Sequence, residues 1–259
     1  MSLAPDLTQP LPRLLYVTDP ARTADRELVK VVELVLKGGC KLIQIRAPGL
    51  SDRAFYLLAR QLTHLANGYG ALSIINDRID ICHAVGAQGV HLGGNDMPVR
   101  VARQLLGPYK LLGYSAHQLK EVRRAPEDGA DYLTFSPICP LRHKKSPFDP
   151  WGPHGYHEAL LSTTTPVFAL GGITAEAIPA LLAAAEGTHQ CARIAAVSLL
   201  SEAESIQERT RDVARMLHPE SCDEELFEGE ARYTFEPEDV LGDDPPEHYG
   251  GGHAWEEEN

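Results

Sequence analysis

Between residues 12 and 218 the chain alternates short, β-branched apolar runs with longer amphipathic stretches. The apolar runs are Leu14–Thr18, Leu42–Arg46, Leu72–Asn76, Gly89–Leu92, Leu111–Ser115, Tyr132–Ser136, Val167–Leu170 and Ile194–Ser198. Their length, their Val/Ile/Leu content and the glycines around them read as buried strands. The stretches between them carry helix signals. Ser51 followed by Asp52 is an N-terminal cap arrangement, and a second helix is expected from Thr174, followed by Glu176 and Ala177. Gly38-Gly39, Gly70, Gly107, Gly129 and Gly187 fall where left-handed C-terminal caps are expected.

Eight strands alternating with eight helical stretches predict an α/β fold of the (β/α)8 TIM-barrel type. A doubly wound sheet usually has fewer strands and a glycine-rich first turn. The first strand here ends in "YVTDPART", without GxGxxG. Three segments follow: an N-terminal extension at 1–12, the barrel at 13–218, and a tail at 219–259.

Composition changes this picture only at the end of the chain. The net charge is −12, but residues 220–259 hold 15 of the 36 acids and only Arg232 among the basic residues. The barrel segment is therefore close to neutral. The tail, poor in aliphatics and rich in Pro, Gly and Glu, is expected to be disordered and acidic, with solubility as its plain role. No apolar run reaches the roughly 20 residues that span a bilayer. "MSLAPDLTQPLPR" lacks the basic head and apolar stretch of an export signal. The five cysteines form no CxxC pair, which fits reduced thiols in a cytoplasmic protein. Small-molecule partners are expected, with no nucleic acid and no membrane, and a homo-oligomer is left open.

Barrel chemistry gathers at the C-terminal ends of strands. There the sequence places Gln44 and Arg46 on one face of strand 2, Asn76 and Asp77 after strand 3, and His91 and Asp96 at strand 4. Ser115 and His117 close strand 5, Arg142 to Lys145 follow strand 6, Gly171-Gly172 follow strand 7, and Val197-Ser198 end strand 8. Two carboxylates beside Asn and Ser suit Mg2+, which takes one or two carboxylates plus phosphate oxygens. Arg46 suits pyrophosphate as a bidentate fork and Lys144 as a point charge. Gly171-Gly172 and Val197-Ser198 stand where barrels often bind phosphate through backbone N–H groups. Plainer roles stand beside these: Asp77 as a helix cap, Arg46 as an ion-pair partner, Gly171-Gly172 as a tight turn, and His91 as a packed core residue.

The motifs "QIR", "IINDRIDICHAVGAQGVHLGGNDMP", "GYSAH", "GADYLTFSPICP…K", "ALGGI" and "AVS" occur in this order. Together they closely resemble the thiamine phosphate synthase/TenI family over roughly residues 13–217. The resemblance implies a barrel transferase of thiamine biosynthesis. Such an enzyme joins hydroxymethylpyrimidine diphosphate to thiazole phosphate, giving thiamine phosphate and pyrophosphate by a Mg2+-assisted dissociative substitution. Carried over residue by residue, Gln44, Arg46 and Asn76 would contact the pyrimidine diphosphate, and Asp77 and Asp96 would hold Mg2+. Ser115 would contact the pyrophosphate or the pyrimidine, Lys144 the leaving group, and Gly172, Val197 and Ser198 the thiazole phosphate. Two positions depart from the pattern. Pro48 replaces the lysine of Q-x-R-x-K, and Leu141-Arg142-His143-Lys144 replaces T-x-T-K. Two alternatives stand beside this reading, the first favoured by those departures. One is a thiazole tautomerase-like isomerase of the same superfamily, with His117 as acid/base. The other is a non-catalytic regulator that binds thiamine precursors.

Overall fold

The structure, a computed structural model, describes residues 10–141 and 146–218. The expected acidic tail at 219–259 and most of the N-terminal extension lie outside the described residues. The chain forms strands β1 (Leu14–Val17), β2 (Leu42–Ile45), β3 (Leu72–Asn76), β4 (Gly89–Leu92), β5 (Leu111–Ala116), β6 (Tyr132–Phe135), β7 (Val167–Ala169) and β8 (Ile194–Ala196). All pair in parallel, each with its neighbour in sequence. β8 closes on β1 through the registers Leu14↔Ile194 and Tyr16↔Ala196. This is the TIM-type barrel that the alternating pattern predicts.

Strand alternation divides the core into two layers. Leu15, Val17, Leu42, Ile74, Leu111, Tyr132, Phe168 and Ala195 fill the barrel interior. The intervening residues, such as Ile43, Ile45, Ile75, Val90 and Leu133, face outward to the helices. Helix α1 (Leu28–Lys37) meets them with Val31, Val32, Val35 and Leu36, all fully buried. Each such side chain contributes about 1.5–3 kcal/mol of transfer free energy relative to exposure.

The predicted helix starts hold in one case and shift in the other. Ser51 caps α2 (Asp52–Gly68), its hydroxyl accepting the Ala54 N–H at 3.3 Å. After Ile173 the chain first makes a short 3-10 turn, Ala175–Ala177, and only then α7 (Ile178–Ala185). Thr174 makes no capping bond with its side chain. Gly39, Gly70, Gly107, Gly129 and Gly187 take positive φ. Gly38 corrects the reading, because it is right-handed (φ −76°). Its reason is space, since a Cβ there would lie 2.5 Å from Cβ of Thr210 on α9 (Ile206–Leu217).

Several strands stop a residue or two earlier than their apolar runs do. At β1 and β2 the cause is visible. The Thr18 hydroxyl donates to the Arg46 carbonyl at 2.7 Å and accepts the Arg46 N–H at 2.8 Å. A side chain thus replaces the ladder where the barrel opens. The remaining helices are α3 (Ile79–Val85), α4 (Val99–Leu106), α5 (Leu119–Glu127), α6 (Gly152–Leu161) and the single-turn α8 (Ser198–Ser201). Among the described residues no helix is long and apolar enough to cross a membrane.

Candidate active site

At the C-terminal ends of the strands lies a cavity of about 1250 Å3. Gln44, Arg46, Asn76, Ser115, His117, Gly171, Gly172, Val197 and Ser198 all line it. Of the residues expected there, Lys144 lies outside the described residues. Asp77 and Asp96 stand at the rim, beside the lining residues Asn76, Gly94 and Asn95.

Gln44 and Arg46 share the inner face of β2 above Leu42, as alternation requires. The Gln44 amide is nearly buried, and its N–H donates to Asn76 Oδ1 at 2.7 Å. Two amides from adjacent strands are thereby locked into one polar edge. Arg46 pairs with Asp19 at 3.2 Å, so the plainer ion-pair reading of Arg46 is also true of it. Asp19 is a rim carboxylate that sequence reasoning passed over. Its signal was the "TD" directly after strand 1, a carboxylate at a strand's C-terminal end.

Asp77 is not a helix cap. The residue before α3 is Arg78, whose guanidinium forks onto Asp80 and reaches Asp52. Asp77 itself adopts a left-handed backbone (φ 64°), and its N–H donates to the His91 carbonyl at 3.0 Å. That conformation is uncommon outside glycine, although Asp tolerates it better than most residues. It turns the carboxyl toward Asp96. Burial, then a hydrogen bond to Asp96 and its negative charge, push the Asp77 carboxyl up to about 7, while Arg46 and Asn76 pull it back. Asp96 is held by its own loop, with Oδ2 accepting the Gly93 N–H at 2.6 Å. Two acids facing each other leave an electrostatic deficit that a cation would satisfy.

Strands β7 and β8 build the opposite side from backbone. Gly171 and Gly172 both have positive φ. A Cβ on Gly172 would sit 2.4 Å from the Pro140 carbonyl oxygen and 2.6 Å from that of Cys139. The main chain can therefore approach the loop after β6 only as glycine. Among the described residues the N–H groups of Gly172, Val197 and Ser198 donate to no carbonyl or side chain.

On β5, the Ser115 hydroxyl lies 2.9 Å from His91 Nε2. His91 is packed inside the barrel, as its plainer reading expected, and burial pushes its imidazole down to about 3. His117 bonds the Ser136 carbonyl through Nδ1 at 2.9 Å and stacks on Phe148 with ring centroids 5.0 Å apart. Phe148 had no sequence signal, because it reaches the mouth from the loop after β6. Pro48 is exposed in the turn after β2, and Leu141 lines the cavity. Arg22, on the loop after β1, lines the cavity as well.

The sequence profile described as "Thiamine monophosphate synthase" matches residues 14–200. The chain belongs to the thiamine monophosphate synthase family. A putative thiamine-phosphate synthase of Geobacter sulfurreducens is 38% identical over 211 residues, covering 82% of this chain and 97% of that relative. The thiamine-phosphate synthase of Albidiferax ferrireducens is 41% identical over 187 residues, covering 72% of this chain and 85% of that one. Among solved structures, the thiamine phosphate pyrophosphorylase of Pyrococcus furiosus superposes with a TM-score of 0.70 at 30% identity, covering 80% of this chain and 96% of that one. The chain is thus an enzyme of the thiamine monophosphate synthase family, a transferase of thiamine biosynthesis.

Proposed function

We propose that this chain condenses a hydroxymethylpyrimidine diphosphate with a thiazole phosphate, releasing pyrophosphate and forming thiamine phosphate. The observation that carries the reading is the Asp77–Asp96 pair after β3 and β4, close to Arg46 and next to the residues that line the cavity, whose other side Gly171, Gly172, Val197 and Ser198 line. The donor set fits Mg2+. Among the described residues no three His, Cys, Asp or Glu cluster, so a cation here would have at most two protein carboxylates. Magnesium favours that count, completing its shell with water and phosphate oxygens, whereas a structural zinc site would need more N or S ligands. When bound, the ion would neutralise charge on the departing pyrophosphate.

The chain's own groups supply the rest. The Arg46 fork matches two pyrophosphate oxygens, and Lys144 would add a second cation. The locked Gln44–Asn76 amides would hold the pyrimidine, and Ser115 would contact the pyrimidine or the pyrophosphate. As the C–O bond to pyrophosphate breaks, positive charge develops on the pyrimidine methylene. The thiazole nitrogen attacks with a lone pair it already has, so no general base is needed. The N–H groups of Gly172, Val197 and Ser198, next to Gly171, would hold the thiazole phosphate, and His117 would face the thiazole side. The domain division at 12/13 and 218/219 and a cytoplasmic location belong to the same proposal.

Turnover of the two substrates with and without Mg2+ tests it, read as pyrophosphate release. No release in the presence of Mg2+, with thiazole tautomer conversion intact, would overturn it. Pro48 and Leu141 favour that isomerase as the second reading, because they remove a diphosphate cation and a thiazole-side hydroxyl.

A further inference from the structure

Two members of one polar chain inside the barrel, His91 and Tyr132, have no part in the reaction as described so far. Asn76, His91, Gly113 and Tyr132 are successive register partners on β3, β4, β5 and β6, and Ser115 and Thr134 are partners one pleat nearer the mouth. The Tyr132 hydroxyl lies 3.0 Å from His91 Nδ1, and His91 Nε2 lies 2.9 Å from Ser115 Oγ. Gly113, between the two rings, makes this contact possible. A Cβ there would fall 2.2 Å from Tyr132 Cζ and 2.3 Å from His91 Nδ1. The register thus gives up one interior side chain to join a phenol and an imidazole.

The chemistry of the chain fixes its direction. Tyr132 is fully buried among Leu111, Phe168 and other apolar side chains, with Phe168 edge-on at 5.7 Å. Among the described residues, His91 Nδ1 is the one acceptor its O–H reaches. A buried O–H left without an acceptor is costly, so the phenol donates to Nδ1. The neutral ring then carries its proton on Nε2 and donates it to Ser115 Oγ. Thr134, 3.4 Å from Ser115 Oγ, adds a weak second donor. With its oxygen already accepting, Ser115 has its own hydrogen left for the cavity.

We propose that Tyr132 and His91 are positioning residues that hold Ser115 as a hydrogen-bond donor to the substrate. The substrate atom opposite Ser115 is then an acceptor, a pyrophosphate oxygen or a ring nitrogen, and not an N–H group. This rests on the synthase reading for the identity of the substrate, but not for the direction of the chain.

Two measurements on the full chain test it. The first is the 15N imidazole signature of His91 between pH 6 and 8. A neutral ring protonated at Nε2 is expected, and a ring protonated at Nδ1, or a charged ring, overturns the proposal. The second is Tyr132→Phe, which keeps the ring against Phe168 and removes only the donor. It should lose the single-tautomer signature and lower kcat on the order of tenfold, while KM for both substrates stays within about threefold. Ser115→Ala should lower kcat by a similar factor, and adding Tyr132→Phe to it should cost nothing further, as groups acting in series do. Unchanged kcat in Tyr132→Phe, or an additive double variant, overturns the relay. If the wild-type chain turns over neither substrate, the synthase reading fails while the tautomer measurement still decides the direction of the chain.

Discussion

Strands β2 to β4 meet the cavity with charged and amide side chains, whereas β7 and β8 meet it with main chain. On the first side Arg46, Asp77 and Asp96 concentrate charge of both signs, and Asp96 raises the cost of ionising Asp77. On the second side two left-handed glycines let the backbone close on the loop after β6. Both arrangements suit an anion chemically, but they differ in what they can tolerate. A charge site tunes strength and needs a counter-ion, while a backbone site is neutral and fixed by shape. The division suits a reaction in which one phosphate group must leave with its charge stabilised and the other must only be held.

The sharpest break of this contrast is Asp96→Ala. Removing one carboxylate of the pair should lower Mg2+-dependent turnover by about 100- to 1000-fold, the range for a lost stabiliser of developing charge. A rim residue supports little core, so the thermal midpoint should change by only a few degrees or less. Turnover within about threefold of wild type would remove Asp96 from the metal site. On the opposite side, Gly172→Ala should act through shape. The new Cβ meets the Pro140 and Cys139 carbonyl oxygens and the φ of 68° becomes strained, so stability should fall by about 1–3 kcal/mol. KM for the thiazole phosphate should rise while KM for the pyrimidine diphosphate holds. Equal rises in both would show that the two sides are not separate subsites.

Pro48→Lys sharpens the charged side by restoring a cation the family pattern expects. Losing such a contact costs up to roughly 2–4 kcal/mol, but Arg22 already faces the cavity, so the gain in kcat/KM should be smaller, about three- to tenfold. A variant no faster than wild type would mean that the wild-type mouth needs no further cation.

The two sides also differ in how much of them a sequence reveals. The barrel was legible because eight apolar runs alternate with amphipathic stretches, and on strand 2 Leu42, Gln44 and Arg46 share one face up to the mouth. The charged side was legible because Asp and Arg advertise their chemistry at strand ends. Less legible was what depends on contact across strands. That Arg46 pairs with Asp19 follows from β1 lying beside β2. That His91 is both packed and joined to Ser115 follows from Gly113 standing between two rings, which no local pattern announces. Gly172 stands at an expected phosphate position, but its close approach to the Pro140 carbonyl depends on the loop after β6, which local sequence does not encode. Gly38, read as a left-handed cap, proved to be a close approach to α9, a tertiary reason that local sequence does not encode.

The smallest effect is a pH slope, and its sign follows from which state holds the proton. Asp77 keeps its proton in the folded chain up to about 7, against an ordinary value of 3.8, so the folded state binds more protons in between. Its contribution to stability is fully present below the unfolded value and is lost as pH rises through about 7. His91 works in the opposite sense. Its folded value of about 3 against 6.5 means that the unfolded chain takes the proton first, so stability rises with pH until about 6.5. The two slopes oppose each other in mildly acidic solution, and above 6.5 only that of Asp77 remains. Asp77→Asn removes that slope alone, and Asn tolerates the left-handed backbone. In metal-free buffer the thermal midpoint of wild type relative to Asp77→Asn should therefore fall from pH 5 to about pH 7 and level off above it. Adding Mg2+ should raise the wild-type midpoint more at pH 8 than at pH 5, because the cation competes with the Asp77 proton, and should leave Asp77→Asn nearly unmoved. A difference between the two chains that stays flat across this range would mean that the facing carboxylates do not share a site, and the charged side of the mouth would lose its claim to a cation.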